Sequence, residues 1–181
     1  MKSLFLTNEY PPNVYGGAGV HVEYLSKELA KKIAVDVRCF GTQDENQPNL
    51  QVKGFGFDDS SLSNVAKNLK IPLATLQKCL AFNGEPVDAD VVHCHTWYSH
   101  FGGIMSKLLY GTPLIITTHS LEPLRPWKRE QLGTGYDLSS WVEKTAIEMA
   151  DCIIAVSKET AEDVKNNFTV DEEKITVIPN G

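Results

Sequence analysis

The sequence contains no basic segment. It carries 17 lysines and arginines against 23 aspartates and glutamates, for a net charge of −6. Nucleic acids and anionic membrane surfaces are bound by clustered cations, so this balance argues against nucleic acid and membrane partners.

Long apolar runs are also missing. No run approaches the roughly 20 residues that a membrane-spanning helix needs, and the apolar start of the chain stops at Asn8 and Glu9. A secretory signal peptide has a longer apolar region. We therefore predict a cytoplasmic protein without a leader or a membrane segment.

Cysteine is scarce, and no two cysteines form a C-x-x-C pair. The four cysteines are Cys39, Cys79, Cys94 and Cys152. Isolated cysteines inside predicted strands and helices are typical of small buried thiols in a reducing compartment. We assign them no chemistry.

Short apolar runs alternate with helical segments along the chain. We predict strands over residues 2–7, 34–40, 51–57, 90–93, 113–118, 152–156 and 175–178. We predict helices over 18–32, 60–82, 98–110, 139–150 and 157–167, with Ser60 as a cap and Pro72 at the first turn of the second helix's continuation. Residues 119–137 form the long irregular stretch.

This alternation predicts the fold class. Its strands are continuous Val/Ile/Leu runs, which are typical of a parallel sheet buried on both faces. A chain of 181 residues, 42% of them apolar, suits one well-buried core. We predict a single α/β domain over residues 1–181, a Rossmann-like three-layer α/β/α sandwich with a mostly parallel sheet.

Polar residues collect where the predicted strands end. In open α/β sheets, ligands bind at the carboxyl edge of the strands. We expect that edge to gather Gly16, Gly17, His95, His119 and Ser157.

The five histidines carry different expectations. His93 is still inside its strand, where a hydrogen-bonded structural role is the commoner outcome. His95 lies just beyond that strand, and we predict a functional role for it. His21 and His100 fall on helices and are expected to be solvent-facing or packing residues.

The loop "NEYPPNVYGGAGVH", residues 8–21, joins the first strand to the first helix. It is not a dinucleotide fingerprint, because Val22 takes the third glycine position and the loop is too long, which disfavours an NAD-dependent oxidoreductase. The backbone amides of Gly16 and Gly17, with the helix N-terminus behind them, suit a phosphate. A flexible turn is the alternative.

A metal site is a weaker interpretation. His93, His95 and His119 together with Cys94 are zinc-ligand types. Strand alternation turns Cys94 away from its two neighbouring histidines, and no carboxylate or second cysteine completes a tetrahedron. We predict no metal.

The stretch "HSLEPLRPWKREQLGTGY" surrounds one tryptophan with cations. Arg125 and Lys128 flank Trp127, an arrangement suited to a sugar phosphate, with the indole against the sugar ring and the cations against the anion. A solvated loop is the alternative, although the length of the segment favours a function.

Four segments together resemble a known family. They are "EYPPNVYGGAGVHVEYLSKELAK", "DVVHCHTWYSHFGG", "THSLEPLRPWKREQLGTGYDLSSWVEKTAIEMAD" and "IIAVSKETAEDV" with "ITVIPNG". They are similar to the N-terminal half of bacterial glycogen synthases, in the branch of retaining glycosyltransferases shared with α-maltose-1-phosphate synthases. The similarity covers essentially the whole chain.

The resemblance implies the GT-B architecture, in which two Rossmann-like domains face each other across a cleft and no metal or cofactor is needed. It implies ADP-glucose or UDP-glucose as the donor, bound mainly by a C-terminal domain, and an α-1,4-glucan or glucose 1-phosphate as the acceptor. Gly16 and Gly17 match the pair that approaches the donor phosphates, and His95 matches the histidine that contacts the transferred glucose. His119, with Arg125, Trp127 and Lys128, would then belong to the acceptor side.

One position departs from the pattern. In the starch-synthase branch a lysine stands two residues before the glycine pair, and here the residue is Val14. That difference favours the other branch. We expect the chain to be an isolated acceptor-side domain, inactive alone, that ends at Gly181 where the linker to the nucleotide-sugar domain would begin. A stand-alone sugar or sugar-phosphate binding module is the alternative function.

Overall fold

The computed structural model describes residues 1–180, leaving aside the side chain of Asp59. Over these residues the strands are β1 (Lys2–Thr7), β2 (Ala34–Phe40), β3 (Asp44–Gln47), β4 (Leu50–Phe55), β5 (Val91–His95), β6 (Leu114–Thr118), β7 (Cys152–Ala155) and β8 (Ile175–Val177). The α-helices are α1 (Gly17–Ala30), α2 (Lys67–Asn83), α3 (Trp97–Tyr110), α4 (Lys128–Leu132), α5 (Gly135–Met149) and α6 (Lys158–Asn167). Gly181, the predicted end of the domain, lies outside the described residues.

The described strands form one sheet in the order β3-β4-β2-β1-β5-β6-β7-β8. Every neighbouring pair is parallel except β3 with β4. The strand order reverses at β1, whose neighbours are β2 and β5. The predicted mostly parallel α/β sheet is confirmed, and its topological switch point lies beside β1.

Each face of the sheet carries its own apolar core. Leu4 and Leu6 of β1 pack into one core together with Phe82 of α2. Phe5, between them in sequence, packs into the other core with Val22 of α1. Successive strand residues point to opposite faces, so one strand supplies both layers, as the three-layer prediction requires.

The sequence analysis missed β3. Its four residues, DENQ, are all exposed and lie at the edge of the sheet, antiparallel to β4. No apolar pattern marks such a strand, because neither of its faces is buried. Charged residues on an edge strand also discourage pairing with another chain.

The helix predicted over residues 60–82 is wrong at its start. A single 3₁₀ turn occupies Asp59–Leu62, and Asp58 caps it by accepting a 2.9 Å hydrogen bond from the backbone N–H of Ser60. Helix α2 begins only at Lys67, and Pro72 lies inside its second turn. A Cβ on Gly135 of α5 would lie 2.8 Å from the Pro72 ring, so the two helices approach closely there.

The stretch predicted as irregular, 119–137, is partly helical. It contains a 3₁₀ turn at Glu122–Leu124, then α4, and then the start of α5, which begins four residues earlier than predicted. The glycines and prolines that suggested a loop instead mark the ends of these short elements.

The four cysteines are free, and three of them are buried. Burial raises the pKa of the Cys39 and Cys79 thiols to about 12, so these groups stay protonated, as expected of packing residues. Among the described residues, no helix combines the length and the apolar character needed to cross a bilayer.

Candidate active site

Four parallel strands bring the predicted residues to one edge of the sheet. β1, β5, β6 and β7 run in the same direction, so their carboxyl ends lie together. Gly16 and Gly17 follow β1, His95 ends β5, His119 follows β6 and Ser157 follows β7. The predicted gathering at the carboxyl edge is therefore confirmed. His95 is the last residue of β5, which extends two residues past its predicted end, so His95 lies in the strand rather than just beyond it.

Three histidines meet at this edge and form what we call the histidine cluster: His21, His95 and His119. Nδ1 of His95 lies 3.3 Å from Nε2 of His119. The His21 ring lies 5.0 Å from the His119 ring and 5.7 Å from the His95 ring, between centroids. The sequence analysis had left His21 as a solvent-facing or packing residue, because only the docking of α1 on β1 brings it to the strand ends.

Burial keeps the cluster neutral. His95 is fully buried, and desolvation holds its pKa well below the usual value. Desolvation lowers the pKa of His119 to about 4 and lowers that of His21 as well. A neutral imidazole can both donate and accept a hydrogen bond, so a ring of the cluster that meets a ligand can offer either at neutral pH.

The other two histidines have packing roles. Nε2 of His93 lies 2.7 Å from the hydroxyl of Thr117 on β6, which confirms the structural role predicted for it. His100 is 2% exposed, and neither ring nitrogen has a hydrogen-bond partner among the described residues. Desolvation lowers the pKa of both rings to about 3.

Cys94 belongs to the opposite face. It lies in the core with Leu4, whereas His93 and His95 lie against Phe5. A Cβ on Gly103 would lie 2.5 Å from its sulfur, so α3 is packed directly on it. The structure therefore does not bring together the four residues of the weaker zinc interpretation, which were His93, Cys94, His95 and His119.

A cleft of about 440 Å³ opens above the cluster. We call it the edge cleft, and its lining includes Gly16, Gly17, Thr96, His119, Arg125 and Glu143. His95 is absent from its lining, because His119 lies between the His95 ring and the cleft. One buried atom of His95, Nε2, has no hydrogen-bond partner among the described residues.

The glycine pair is open to this cleft. A Cβ on either Gly16 or Gly17 would meet no atom within 4 Å, so the pair leaves room over the loop. Gly19 differs, because a Cβ there would lie 2.7 Å from a carboxylate oxygen of Glu9. Within this loop, packing requires glycine at position 19, and the space at 16 and 17 is free for a ligand.

The loop amides already hold one anion. Oε2 of Glu9 accepts hydrogen bonds from the backbone N–H of Tyr15 at 2.8 Å and of Gly16 at 2.9 Å. The first amides of α1, starting at Gly17, have no acceptor within the helix, and no side chain caps this end. Two loop amides are thus engaged by the protein's own carboxylate, and phosphate binding at this loop stays a prediction.

Thr96 closes the far side of the cleft in a strained conformation. Its φ of 72° is uncommon for a β-branched residue. Its hydroxyl donates a 2.9 Å hydrogen bond to Oδ1 of Asn8, which ties the end of β5 to the end of β1. Backbone strain of this kind is concentrated at functional sites.

The cations predicted for the acceptor side separate into different roles. The ammonium of Lys128 lies 2.5 Å from the buried carboxylate of Glu122, and its side chain is 18% exposed. Arg125 lines the edge cleft, and its guanidinium has no hydrogen bond or ion pair with the described residues. Trp127 is 58% exposed and does not line the edge cleft.

Glu122 and Glu143 form an acidic wall behind Arg125. Oε2 of Glu143 accepts a 2.6 Å hydrogen bond from the backbone N–H of Glu122. Burial is the main reason that the pKa of Glu143 rises to about 8, and the nearby Glu122 carboxylate adds to it. Ser139 and Lys128 bind the Glu122 carboxylate from two sides. Both carboxylate oxygens of Glu122 are therefore engaged within the wall, and Lys128 supplies the ion pair.

A second cleft adjoins the first. It has a volume of about 800 Å³ and shares Asn8, Glu9 and Tyr98 with the edge cleft. Lys70 and Lys78 of α2 line it. The loop that holds Glu9 therefore separates two spaces, one beside Arg125 and one beside α2.

Known proteins resemble this chain over its whole length. The profile of Glycosyltransferase Family 4 matches residues 15–181. An α-maltose-1-phosphate synthase from Mycolicibacterium smegmatis is 42% identical over 186 residues, which cover all of this chain and 44% of that protein. A glycogen synthase from Mycobacterium tuberculosis is 28% identical, again over the whole chain and over 48% of the relative. The chain thus spans less than half the length of these curated relatives.

Solved structures show the same fold at low identity. A sucrose-phosphate synthase from Thermosynechococcus elongatus superposes with a TM-score of 0.70 at 17% identity, over 99% of this chain and 48% of that one. HepE from Anabaena, solved in complex with UDP and glucose, gives a TM-score of 0.62 at 19% identity, over 100% of this chain and 44% of that one. The fold is the N-terminal half of the GT-B architecture.

Proposed function

This chain belongs to Glycosyltransferase Family 4, and we propose that it is the acceptor-side domain of a retaining glucosyltransferase. The proposed reaction moves glucose from ADP-glucose or UDP-glucose to an α-1,4-glucan or to glucose 1-phosphate. The proposed partner domain is a C-terminal nucleotide-sugar-binding domain of the same protein. No cofactor or metal takes part in this proposal.

One observation carries the proposal: three kinds of group meet at the edge cleft. They are the glycine loop, the neutral histidine cluster and Arg125, whose guanidinium has no partner among the described residues. The loop is open at Gly16 and Gly17, the cluster reaches the cleft through His119, and Arg125 lines the same cleft. These groups suit the diphosphate of a nucleotide sugar, the hydroxyls of the transferred sugar and, where the acceptor is glucose 1-phosphate, its phosphate.

We assign the donor phosphates to the glycine loop. The amides at the start of α1 carry partial positive charge, so they favour the negative charge that grows on the diphosphate as its bond to glucose breaks. Glu9 holds two loop amides in this structure. A phosphate oxygen would compete with its carboxylate for them, so the bound state requires Glu9 to shift.

We assign the transferred glucose to His95, with His119 beside it. The partnerless Nε2 of His95 is the kind of buried polar atom that a ligand hydroxyl satisfies. Since His119 covers the His95 ring, its side chain must turn aside for direct contact. A hydrogen bond that strengthens as charge develops at the sugar would lower the barrier and leave substrate binding nearly unchanged.

We assign the acceptor to the wall that carries Arg125. Lys128 is engaged with Glu122, so its direct contribution to an acceptor phosphate would be smaller than that of Arg125. The ion pair instead holds α4 beside the cleft. Trp127 is exposed, and it remains available to a sugar ring of a longer acceptor.

The function is tested by a product assay on the longer protein that contains this chain. ADP-glucose and UDP-glucose are each offered with glycogen and with glucose 1-phosphate, and the products are separated. We expect glucan elongation or a phosphorylated disaccharide with one donor, and no product from residues 1–181 alone, because the reaction centre forms only when two domains close. Nucleotide-sugar binding without any product would overturn the proposal in favour of a binding module. Product from residues 1–181 alone would refute the two-domain site.

Arg125→Ala should separate the two classes of acceptor. In the longer protein we expect the KM for glucose 1-phosphate to rise at least about tenfold, because a charge-assisted hydrogen bond to the phosphate is lost. The KM for a neutral glucan should change far less. Steady-state kinetics with both acceptors measures this difference.

Arg129→Ala is the matched control. The Arg129 guanidinium pairs with Asp137 on the exposed surface, and Arg129 does not line the edge cleft. We expect both KM values to stay within twofold of the unsubstituted protein. If Arg125→Ala raised the KM for both acceptors equally, Arg125 would have only a structural role.

A further inference from the structure

The ring nitrogens of the histidine cluster lie close enough together to bind one metal ion. One ring nitrogen from each of His21, His95 and His119 can be chosen so that all three lie within 4.8 Å of one another. His95 and His119 come from the ends of adjacent strands of a rigid sheet. His21 comes from the second turn of α1, where its partly exposed ring is free to adjust.

The closest pair already has the spacing of two metal ligands. Zinc binds imidazole nitrogens at about 2.0–2.1 Å in a tetrahedron, which places neighbouring nitrogens roughly 3.3–3.4 Å apart. Nδ1 of His95 and Nε2 of His119 lie 3.3 Å apart. A metal ion would take the place of the hydrogen bond between them, with its proton moving to the other nitrogen of the same ring and with no movement of the two strands.

We propose that His21, His95 and His119 form a binding site for one Zn²⁺ ion, reached through the edge cleft. His119 lines that cleft, so water or a ligand oxygen can reach the ion from there and complete the tetrahedron.

The donor set decides which metals bind. Three neutral imidazoles suit Zn²⁺, Co²⁺ and Ni²⁺, whereas Mg²⁺ and Ca²⁺ require oxygen ligands. Among the described residues no carboxylate hydrogen-bonds any ring of the cluster, so the orienting partners that strengthen permanent zinc sites are missing. The ion is therefore expected to bind reversibly.

Reversible zinc has a consequence at this position. An ion held by Nδ1 of His95 and Nε2 of His119 would fix the His119 ring over His95, whereas the proposed glucose contact requires that ring to turn aside, so zinc should inhibit the proposed transfer. The metal site itself does not depend on the proposed function. Metal binding is measured without substrate, so failure of one proposal is distinguishable from failure of the other.

The direct test is titration of the metal-free longer protein with Co²⁺ and with Zn²⁺. We expect one Co²⁺ per chain with the visible absorption of a tetrahedral site, displacement of that absorption by Zn²⁺, and recovery of the metal-free protein with EDTA. Isothermal titration with Zn²⁺ should give the same stoichiometry. Mg²⁺ at the same concentration should give no signal.

Substitutions locate the site. His21→Ala and His119→Ala should each weaken Zn²⁺ binding at least about tenfold, since each removes one of three ligands. Tyr24→Ala is the matched control, because Tyr24 lies one turn further along α1 and is 65% exposed. We expect it to bind Zn²⁺ like the unsubstituted protein. Circular dichroism confirms that each variant is folded.

Two results would overturn the proposal. One is the absence of any Co²⁺ or Zn²⁺ binding at micromolar to millimolar metal. The other is binding that His21→Ala and His119→Ala both leave unchanged, since the ion would then lie elsewhere in the protein.

Discussion

His95→Ala in the longer protein should lower kcat on the order of a hundredfold while changing KM little. In our proposal the His95 ring hydrogen-bonds the transferred glucose, and this contact strengthens as the bond to the diphosphate stretches. Loss of one oriented group of this kind costs about two to three orders of magnitude in rate. The measurement is steady-state kinetics on whichever donor and acceptor the product assay identifies.

Two controls separate this role from a packing defect, because His95 is fully buried and its removal leaves a cavity. His100→Ala removes another buried histidine, on α3, that does not line the edge cleft. It should lower stability without changing kcat beyond about twofold. His95→Gln restores a hydrogen-bonding group and should recover part of the rate. Unsubstituted kcat in His95→Ala would remove His95 from the reaction, as would an equal loss in His100→Ala.

The second large effect is acid destabilisation between pH 7 and pH 5. His93, His95 and His100 are buried and neutral, with native pKa values lowered to about 3 for His93 and His100 and well below the usual value for His95. In the unfolded chain these histidines bind protons below pH 6.5. Stability is therefore complete above pH 6.5 and is lost as the pH falls toward the native pKa values.

Each neutral buried histidine should lower the free energy of unfolding by about 2 kcal/mol when the pH falls from 7 to 5. Three together amount to about 6 kcal/mol, which is comparable with the whole stability of a typical domain. We expect urea unfolding of the 181-residue chain to show a steep loss of stability over this range. Carboxylates with lowered pKa values, such as Glu148, act only at lower pH. Within this window Glu143, whose pKa is raised to about 8, opposes the loss, and His119, whose pKa is lowered to about 4, adds a loss of similar size.

Substitution of one histidine tests the assignment. His100→Leu removes one of the three protonation sites and should reduce the pH-dependent loss by about a third. Ile104→Val, in the same helix, should cost about 1 kcal/mol at every pH and leave the pH dependence unchanged. A pH dependence that is the same in His100→Leu as in the unsubstituted chain would show that His100 is protonated in the folded protein.

Much of the architecture could be predicted because burial leaves a pattern in sequence. The strands that carry the site have apolar cores, and apolar runs separated by helical segments predict a parallel sheet. Edge strand β3 and the start of α2 could not be predicted in this way. The residues of β3 are all exposed, and α2 begins where a capping turn ends rather than where apolar periodicity begins.

The candidate site could be predicted only in part. The carboxyl-edge rule placed Gly16, Gly17, His95 and His119 together, because the chain direction of a parallel sheet determines which ends meet. The roles of the acceptor-side cations could not be separated from sequence. Lys128 and Arg125 both line the edge cleft, yet only Lys128 is paired with a buried glutamate among the described residues.

The sequence by itself determined the fold class, the edge at which polar residues gather and the family to which the chain belongs, because these depend on patterns that persist along the chain. Only the tertiary structure decided which groups touch. The docking of α1 places His21 beside His95 and His119. The loop after β1 folds back so that the N–H groups of Tyr15 and Gly16 donate hydrogen bonds to Glu9. Contacts between distant segments depend on helix rotation and side-chain rotamers, and neither leaves a periodic signal in the sequence.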